Sequence, residues 1–170
     1  MTHLDVPVVT ARLRVPSGWI DVNGHMNALY YAQAMYGGHV ALTQLIGLGD
    51  AYVAASGCSK AVLESHIVYE REALRGDELE VRSWLFAVDT KRLHFFHELY
   101  NLTRGWRAAT GEQVDIHIDL TQRRSVPFPP ALYRALQLRV RANLAVSPPP
   151  GIGSRIRPPT NPWRDTPVSP

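Results

Sequence analysis

The residues Asp21-Val22-Asn23-Gly24-His25-Met26-Asn27 place a carboxylate, two carboxamides and an imidazole immediately ahead of a long apolar run without proline. If that run is a helix, its first backbone amides have no partners within the helix and can hold a developing negative charge with little reorganisation. The amides near Asn27 and Ala28 are placed for this. Asp21, just upstream, can act as a general base toward water or as a nucleophile. The same residue types also cap helices, and a cap alone is worth ~1 kcal/mol, so Asp21, Asn23 and Asn27 all compete for a structural role that needs only one of them. Gly24 permits a tight turn and close approach of a carbonyl. His25 can orient a substrate, hydrogen-bond Asp21, or tie the turn to a neighbouring strand. Tyr30 and Tyr31 can line a pocket, though core filling is favoured for one of them.

Other reactive types carry less. The single cysteine, Cys58, can form no internal disulfide and no thiolate cluster, and Ser56-Gly57-Cys58-Ser59 matches no nucleophile signature. His94 and His97 lie three apart in a strand-like run and so face opposite sides; with His117 they make no convergent metal site, and no metal or cofactor is expected. A net charge of +3 is too dilute for a nucleic-acid footprint but suits a phosphate-bearing small molecule.

These groups need a frame. At 170 residues with 45% hydrophobic and 19% charged residues, the chain suits one packed domain. No stretch reaches the ~18 apolar residues of a membrane span and the N-terminus has no leader pattern, so a cytoplasmic protein is expected. Alternation over residues 8–15 predicts a strand that Pro16-Ser17-Gly18 ends. Residues 28–48 predict one helix with Leu29, Ala32, Met35, Tyr36 and Val40 on its apolar side, and Gly37-Gly38 suggest close approach of another backbone. Period-two runs at 61–73, 78–88, 92–102 and 107–120, separated by Gly- and Asp-bearing turns, predict a four-stranded antiparallel meander. In the last run Val114, Ile116, Ile118 and Leu120 share one face, which is expected to meet the helix. Residues 131–145 predict a short packing helix with Leu132, Leu136 and Val140 on one side. The domain is bounded at 1–146, and the proline-rich residues 147–170 are expected to be an extended or disordered tail.

One long helix followed by strands is best buried by a sheet that wraps it, which is the α+β hotdog arrangement with about five strands. The sequence also resembles the 4-hydroxybenzoyl-CoA thioesterase family, in the branch with D-x-N-G-H-M-N-x-x-Y, standing here as Asp21 to Tyr30, and is similar to betainyl-CoA thioesterases. The likeness extends through Glu64-Ser65-His66-Ile67-Val68-Tyr69, Gly76-Asp77-Glu78-Leu79 and Lys91-Arg92-Leu93. It implies a homodimer or dimer of dimers with sites at subunit interfaces, metal-free hydrolysis of an acyl-CoA, and Asp21 at the catalytic aspartate. Asn23 and His25 fall in the same motif. Glu64 becomes a candidate second carboxylate from a neighbouring subunit, with a surface charge as the plain alternative. Lys91, Arg92, Arg123 and Arg124 flank strand ends and are candidate coenzyme A phosphate contacts. The rivals are a non-catalytic acyl-CoA-binding module and a hotdog enoyl-CoA hydratase or dehydratase.

Overall fold

In the computed structural model, which describes residues 6–153, an antiparallel sheet curls around one long helix. Strand β1 is Val8–Arg14, helix α1 Ala28–Leu45, helix α2 Asp50–Ser56 and strand β2 Cys58–Tyr69. Strands β3 (Glu78–Val88), β4 (Arg92–Asn101), β5 (Trp106–Asp119) and the two-residue β6 (Arg124–Ser125) follow, then helix α3, Pro130–Leu144. This is the hotdog fold anticipated from the order of elements.

The sheet order is β1-β3-β4-β5-β2, with β6 against β5. The expected meander therefore holds for β3, β4 and β5 but not for the first run. Strand β2 pairs with β5 from Cys58↔Asp119 to Tyr69↔Ala109 and becomes a sheet edge. It ends at Tyr69 rather than at residue 73, because the chain beyond it is captured by the helix. The Tyr31 hydroxyl accepts from the Ala73 amide at 2.9 Å, and Ala73 O accepts from Met26 N at 2.8 Å. The turn at Arg75-Gly76-Asp77 thus leads from this loop into β3 instead of closing a hairpin with β2.

Helix α1 stops at Leu45, three residues early. Gly47, at φ 84°, lets Leu48 N reach Thr43 O at 2.8 Å and Gly47 N reach Gln44 O at 3.1 Å, the paired bonds of a Schellman end. Helix α2, ended by Gly57 at φ 66°, was not anticipated; seven residues are too few for a clear helical period.

The two faces of β5 are the reverse of the expected ones. Gly111, Gln113, Asp115 and His117 face the helices, and Leu120 is exposed. Polar groups tolerate burial when paired, and these are: Gln113 and Asp115 contact His39 of α1, and His117 accepts or donates to the Tyr52 hydroxyl at 2.8 Å. Alternation reports that two faces differ, not which one is inside.

The buried side of α1 differs as well: Tyr31, Ala34, Met35, Gly38, His39, Leu42 and Thr43 are buried, whereas Leu29, Tyr36 and Val40 are exposed. Only Gly38 of the glycine pair is close-packed, and its neighbours are side chains, Val81 and Thr10, rather than backbone. Helix α3 closes the open end of the core with Leu136 and Val140 against Leu42, Leu85, Val88 and Phe95, the packing role expected of it. On the outer face Trp84, Phe86 and Phe96 are covered by Val6 and Ile152. Residues 147–153 therefore fold back on the sheet, where Gly153 N donates to Glu112 Oε1 at 2.7 Å. The rest of the expected tail, 154–170, lies outside the described residues.

Candidate active site

The segment from Asp21 to Asn27 is a closed loop whose ends are pinned to the sheet and to its own flanks. Asp21 N donates to His25 O and Gly24 N to Asp21 O, both at 3.0 Å, with Gly24 at φ 82°. That conformation favours glycine. Asn27 N donates to Trp19 O at 2.9 Å, and Trp19 stacks on Tyr30 with ring centroids 4.8 Å apart. Tyr30 thus braces the loop, while its neighbour Tyr31 is core.

The competition for the cap resolves in favour of Asn27, whose side chain accepts from Leu29 N at 3.0 Å. Asp21 is left for other work. Its Oδ1 accepts from Asn23 N at 2.8 Å, its Oδ2 faces Asn27 Nδ2 at 3.4 Å, and its side chain stays 20% exposed. His25 Nδ1 stands 3.9 Å from Asp21 Oδ1, too long for a direct hydrogen bond, and 3.4 Å from Met26 O. Tyr30 N is taken by Asn27 O, whereas the Ala28 amide has no acceptor among the described residues. A carboxylate with free valences therefore sits one loop away from an unclaimed helix N-terminal N–H, the two elements that acyl transfer to water requires.

Two clefts take residues from the start of α1, one Ala28 and the other Leu29. The smaller, about 290 Å³, is lined by His25, Ala28, Tyr31, Tyr69, Arg71 and Glu72 among others. The larger, about 410 Å³, runs between α1 and the inner face of β2 and β5, from Leu29 past Met35 and Tyr36 to His39 and His97. Met35 and Tyr36 of α1 line this cleft, while Trp84 packs on the outer face of the sheet. The 69–72 stretch was not foreseen as part of the site; its charged run Glu70-Arg71-Glu72 was the available signal, hidden by reading residues 61–73 as one strand.

A family model described as the thioesterase-like superfamily matches residues 15–136. The chain belongs to that superfamily. Among curated relatives, a betainyl-CoA thioesterase of Pseudomonas aeruginosa is 35% identical over 138 residues, covering 81% of this chain and 87% of its own length. An L-carnitine dehydrogenase/betainyl-CoA thioesterase of Agrobacterium fabrum is 39% identical over 132 residues, and there the match spans 78% of this chain but only 27% of the relative. In fold, this superfamily member is similar to a Staphylococcus aureus protein solved in complex with CoA, at TM-score 0.78 and 24% identity, with 93% of this chain and all of that one covered.

Within one chain of this thioesterase-like protein, the other candidate residues stand apart from Asp21. Glu64 is exposed on β2, opposite Val114, five residues or about 17 Å along the strand from Tyr69 at the loop end. It alternates with Ser65, a lining residue of the larger cleft, and so faces the other way. Lys91 and Arg92 lie at the opposite end of the sheet: Arg92 pairs with Ile116 and Tyr69 with Ala109, seven residues or about 24 Å apart on β5. Arg92 is tied to Asp89 at 2.7 Å. Arg123, at φ 53°, and Arg124, bonded to Gln122, turn at that same end. Among the described residues no group of three or more His, Cys, Asp or Glu could hold a metal ion, and no helix is long and apolar enough to cross a membrane.

Proposed function

We propose that this chain hydrolyses small or medium acyl-CoA thioesters at the Asp21 loop. The observation that carries the reading is the division of labour at the helix end: Asn27 takes the cap, so that the Asp21 carboxylate, held by Asn23 N and Asn27 Nδ2, keeps lone pairs for a water, and the Ala28 amide has no acceptor among the described residues. In the proposed reaction Asp21 removes a proton from water as the water oxygen attacks the thioester carbonyl. The Ala28 N–H receives the carbonyl oxygen as its charge grows. Collapse of the tetrahedral adduct breaks the C–S bond and releases coenzyme A, whose thiolate takes up the proton. Direct attack by the Asp21 carboxylate, with an anhydride then opened by water, uses the same groups. Asn23 and Asn27 hold the carboxylate through the contacts at its two oxygens, and Gly24 and Tyr30 hold the loop. His25 would orient the carboxylate or the substrate from 3.9 Å.

A second copy of the chain completes this reading. Among the described residues the outer edge of β2 has no strand partner; β2 exposes Val62, Leu63, Val68 and Tyr69, and α1 exposes Leu29, Tyr36 and Val40. Long apolar edges of this kind invite strand pairing. Antiparallel pairing of two β2 edges about a two-fold axis sets the Cys58 end of one beside the Tyr69 end of the other. The end carrying Lys91, Arg92, Arg123 and Arg124 in one copy then approaches the Asp21 loop of its partner, where those side chains could serve coenzyme A phosphates. Glu64, distant within one chain, would also come nearer to that loop.

The test is thiol release from betainyl-, short-chain, medium-chain and aromatic acyl-CoAs by wild type and Asp21→Asn. Asparagine can still accept from Asn23 N, so the loop should persist while the base is lost. Loss of ~10²-fold or more in kcat/KM supports the assignment. Equal rates would remove Asp21 from the chemistry, and inertness of both proteins would move the binding-module or hydratase readings ahead.

A further inference from the structure

Consecutive residues at the start of α1 belong to clefts of opposite chemistry. The smaller cleft takes Ala28 and is lined also by His25, Glu70, Arg71 and Glu72. The larger takes Leu29 and continues along the helix past Ala32 and Met35, facing Ile67 of β2. Charged and imidazole groups suit the polar, amide-bearing arm of coenzyme A. Apolar walls suit an alkyl chain, for which each buried methylene contributes about fourfold in binding. A thioester held at the Ala28 N–H has its acyl side and its coenzyme A side matched to different walls.

The apolar stretch ends where helix and sheet touch. Met35 is buried, at 3% exposure, and its thioether lies on Gly111 of β5: a Cβ built on Gly111 would stand 3.1 Å from Met35 Sδ and 3.4 Å from Met35 Cε. Both residues line the larger cleft. An unbranched methionine is a side chain that can shift to fit its surroundings, so its tip marks the floor without fixing it rigidly. The rest of the lining on that side is polar, with His39, His97 and Gln113. Gln113 Nε2 donates to Asp115 Oδ1 at 2.7 Å. An alkyl end offers such groups no hydrogen bond, and covering them is costly. Met35 lies seven residues beyond Ala28, about 10 Å along the helix, a span comparable with an extended octanoyl chain.

We propose that the larger cleft takes the acyl chain of a neutral, unbranched, medium-length thioester, and that Met35, seated on Gly111, sets the longest chain accepted. This rests on the thioesterase reading and names the acyl class for that site. A trimethylammonium end finds no carboxylate among the described residues that line this cleft. A chain longer than the apolar stretch has to displace the Met35 thioether or press on polar groups. Two substitutions move the floor in opposite directions. Met35→Ala removes Cγ, Sδ and Cε and deepens the stretch. Gly111→Ala places a methyl group under the thioether, which has to give by a few tenths of an ångström and rises into the cleft.

The experiment measures kcat/KM for butanoyl-, octanoyl-, dodecanoyl- and betainyl-CoA with wild type, Met35→Ala and Gly111→Ala. The readout is the ratio between chain lengths within each protein, which is independent of the fraction of folded protein in each sample. Wild type should prefer octanoyl-CoA to the other three. Met35→Ala should raise the dodecanoyl-to-octanoyl ratio by about 10-fold or more, the scale of the methylenes it makes room for. Gly111→Ala should lower the octanoyl-to-butanoyl ratio by about 3-fold or more. A merely loosened fold would change all rates of a variant together and leave its ratios in place. A wild-type preference for betainyl-, butanoyl- or dodecanoyl-CoA, or a ratio that stays in place in either variant, would overturn the assignment while leaving hydrolysis intact. Failure to hydrolyse any thioester would overturn the thioesterase reading and this inference with it.

Discussion

Adjacent glycines in α1 allow the close seating of the helix to be tested with two single-methyl additions. At Gly37 an added Cβ meets nothing within 4 Å, so alanine should contribute only its higher helix propensity, ~1 kcal/mol of added stability. At Gly38 the same Cβ would overlap Val81 Cγ1 and come within 2.7 Å of Thr10 Oγ1. Val81 is fully buried on β3, between β1 and β4, and has little room to yield. Overpacking of this kind costs roughly 1–3 kcal/mol, and the branched neighbour argues for the upper half of that range. Set against the same propensity gain, Gly38→Ala should be about 1–2 kcal/mol less stable than wild type, and about 2–3 kcal/mol less stable than Gly37→Ala. In a domain of this size the two variants should differ in Tm by about 4–12 °C. Urea unfolding with matched m-values supplies the measurement. Equal stability of the two alanines would show that α1 does not rest on β3 at Gly38, and the placement of the helix N-terminus relative to the sheet would have to be redrawn.

Two further outcomes follow from the buried polar cluster. Lys60→Met would leave the fully buried Asp115 without its cation and should cost ~3–5 kcal/mol in chemical unfolding, with Asp115→Asn added to it recovering part of the loss. The pH dependence should have two stages. Because His97 has a lowered pKa when folded, the unfolded chain binds the extra proton, and stability should begin to fall as pH drops below about 6.5. Asp115 and Asp77 behave differently. Burial alone would raise both, but contacts with His39, Lys60 and Gln113 for Asp115, and with Leu74 N, Asn101 and Arg104 for Asp77, hold them below the usual carboxylate value. Their contribution is present above about pH 4 and is lost as pH falls further. His97→Phe should flatten the first stage and leave the second, as read by unfolding midpoints across pH; an unaltered first stage would exclude His97 as its source.

Much of this molecule was written locally. The helix start at Ala28, the Gly24 turn, the hairpins joining β3, β4 and β5, and the packing stripe of α3 all depend on residues near one another in the chain, so period and turn chemistry were enough to read them. The closed loop from Asp21 to Asn27 was legible as a turn for the same reason. What needed the folded chain was every choice between equal local options. Asn27 rather than Asp21 caps the helix because the loop closure at Asp21 N and Gly24 N turns the Asp21 carboxylate toward Asn23 and Asn27. The polar face of β5 is inside because His39, 76 residues from Asp115 and 74 from Gln113 along the chain, stands within hydrogen-bond distance of both. Strand β2 sits beside β5 because Tyr31 and Met26 capture the chain at Ala73. Pairing, capping and burial are decided by which distant groups can satisfy one another's hydrogen bonds, and only the tertiary structure brings those groups together.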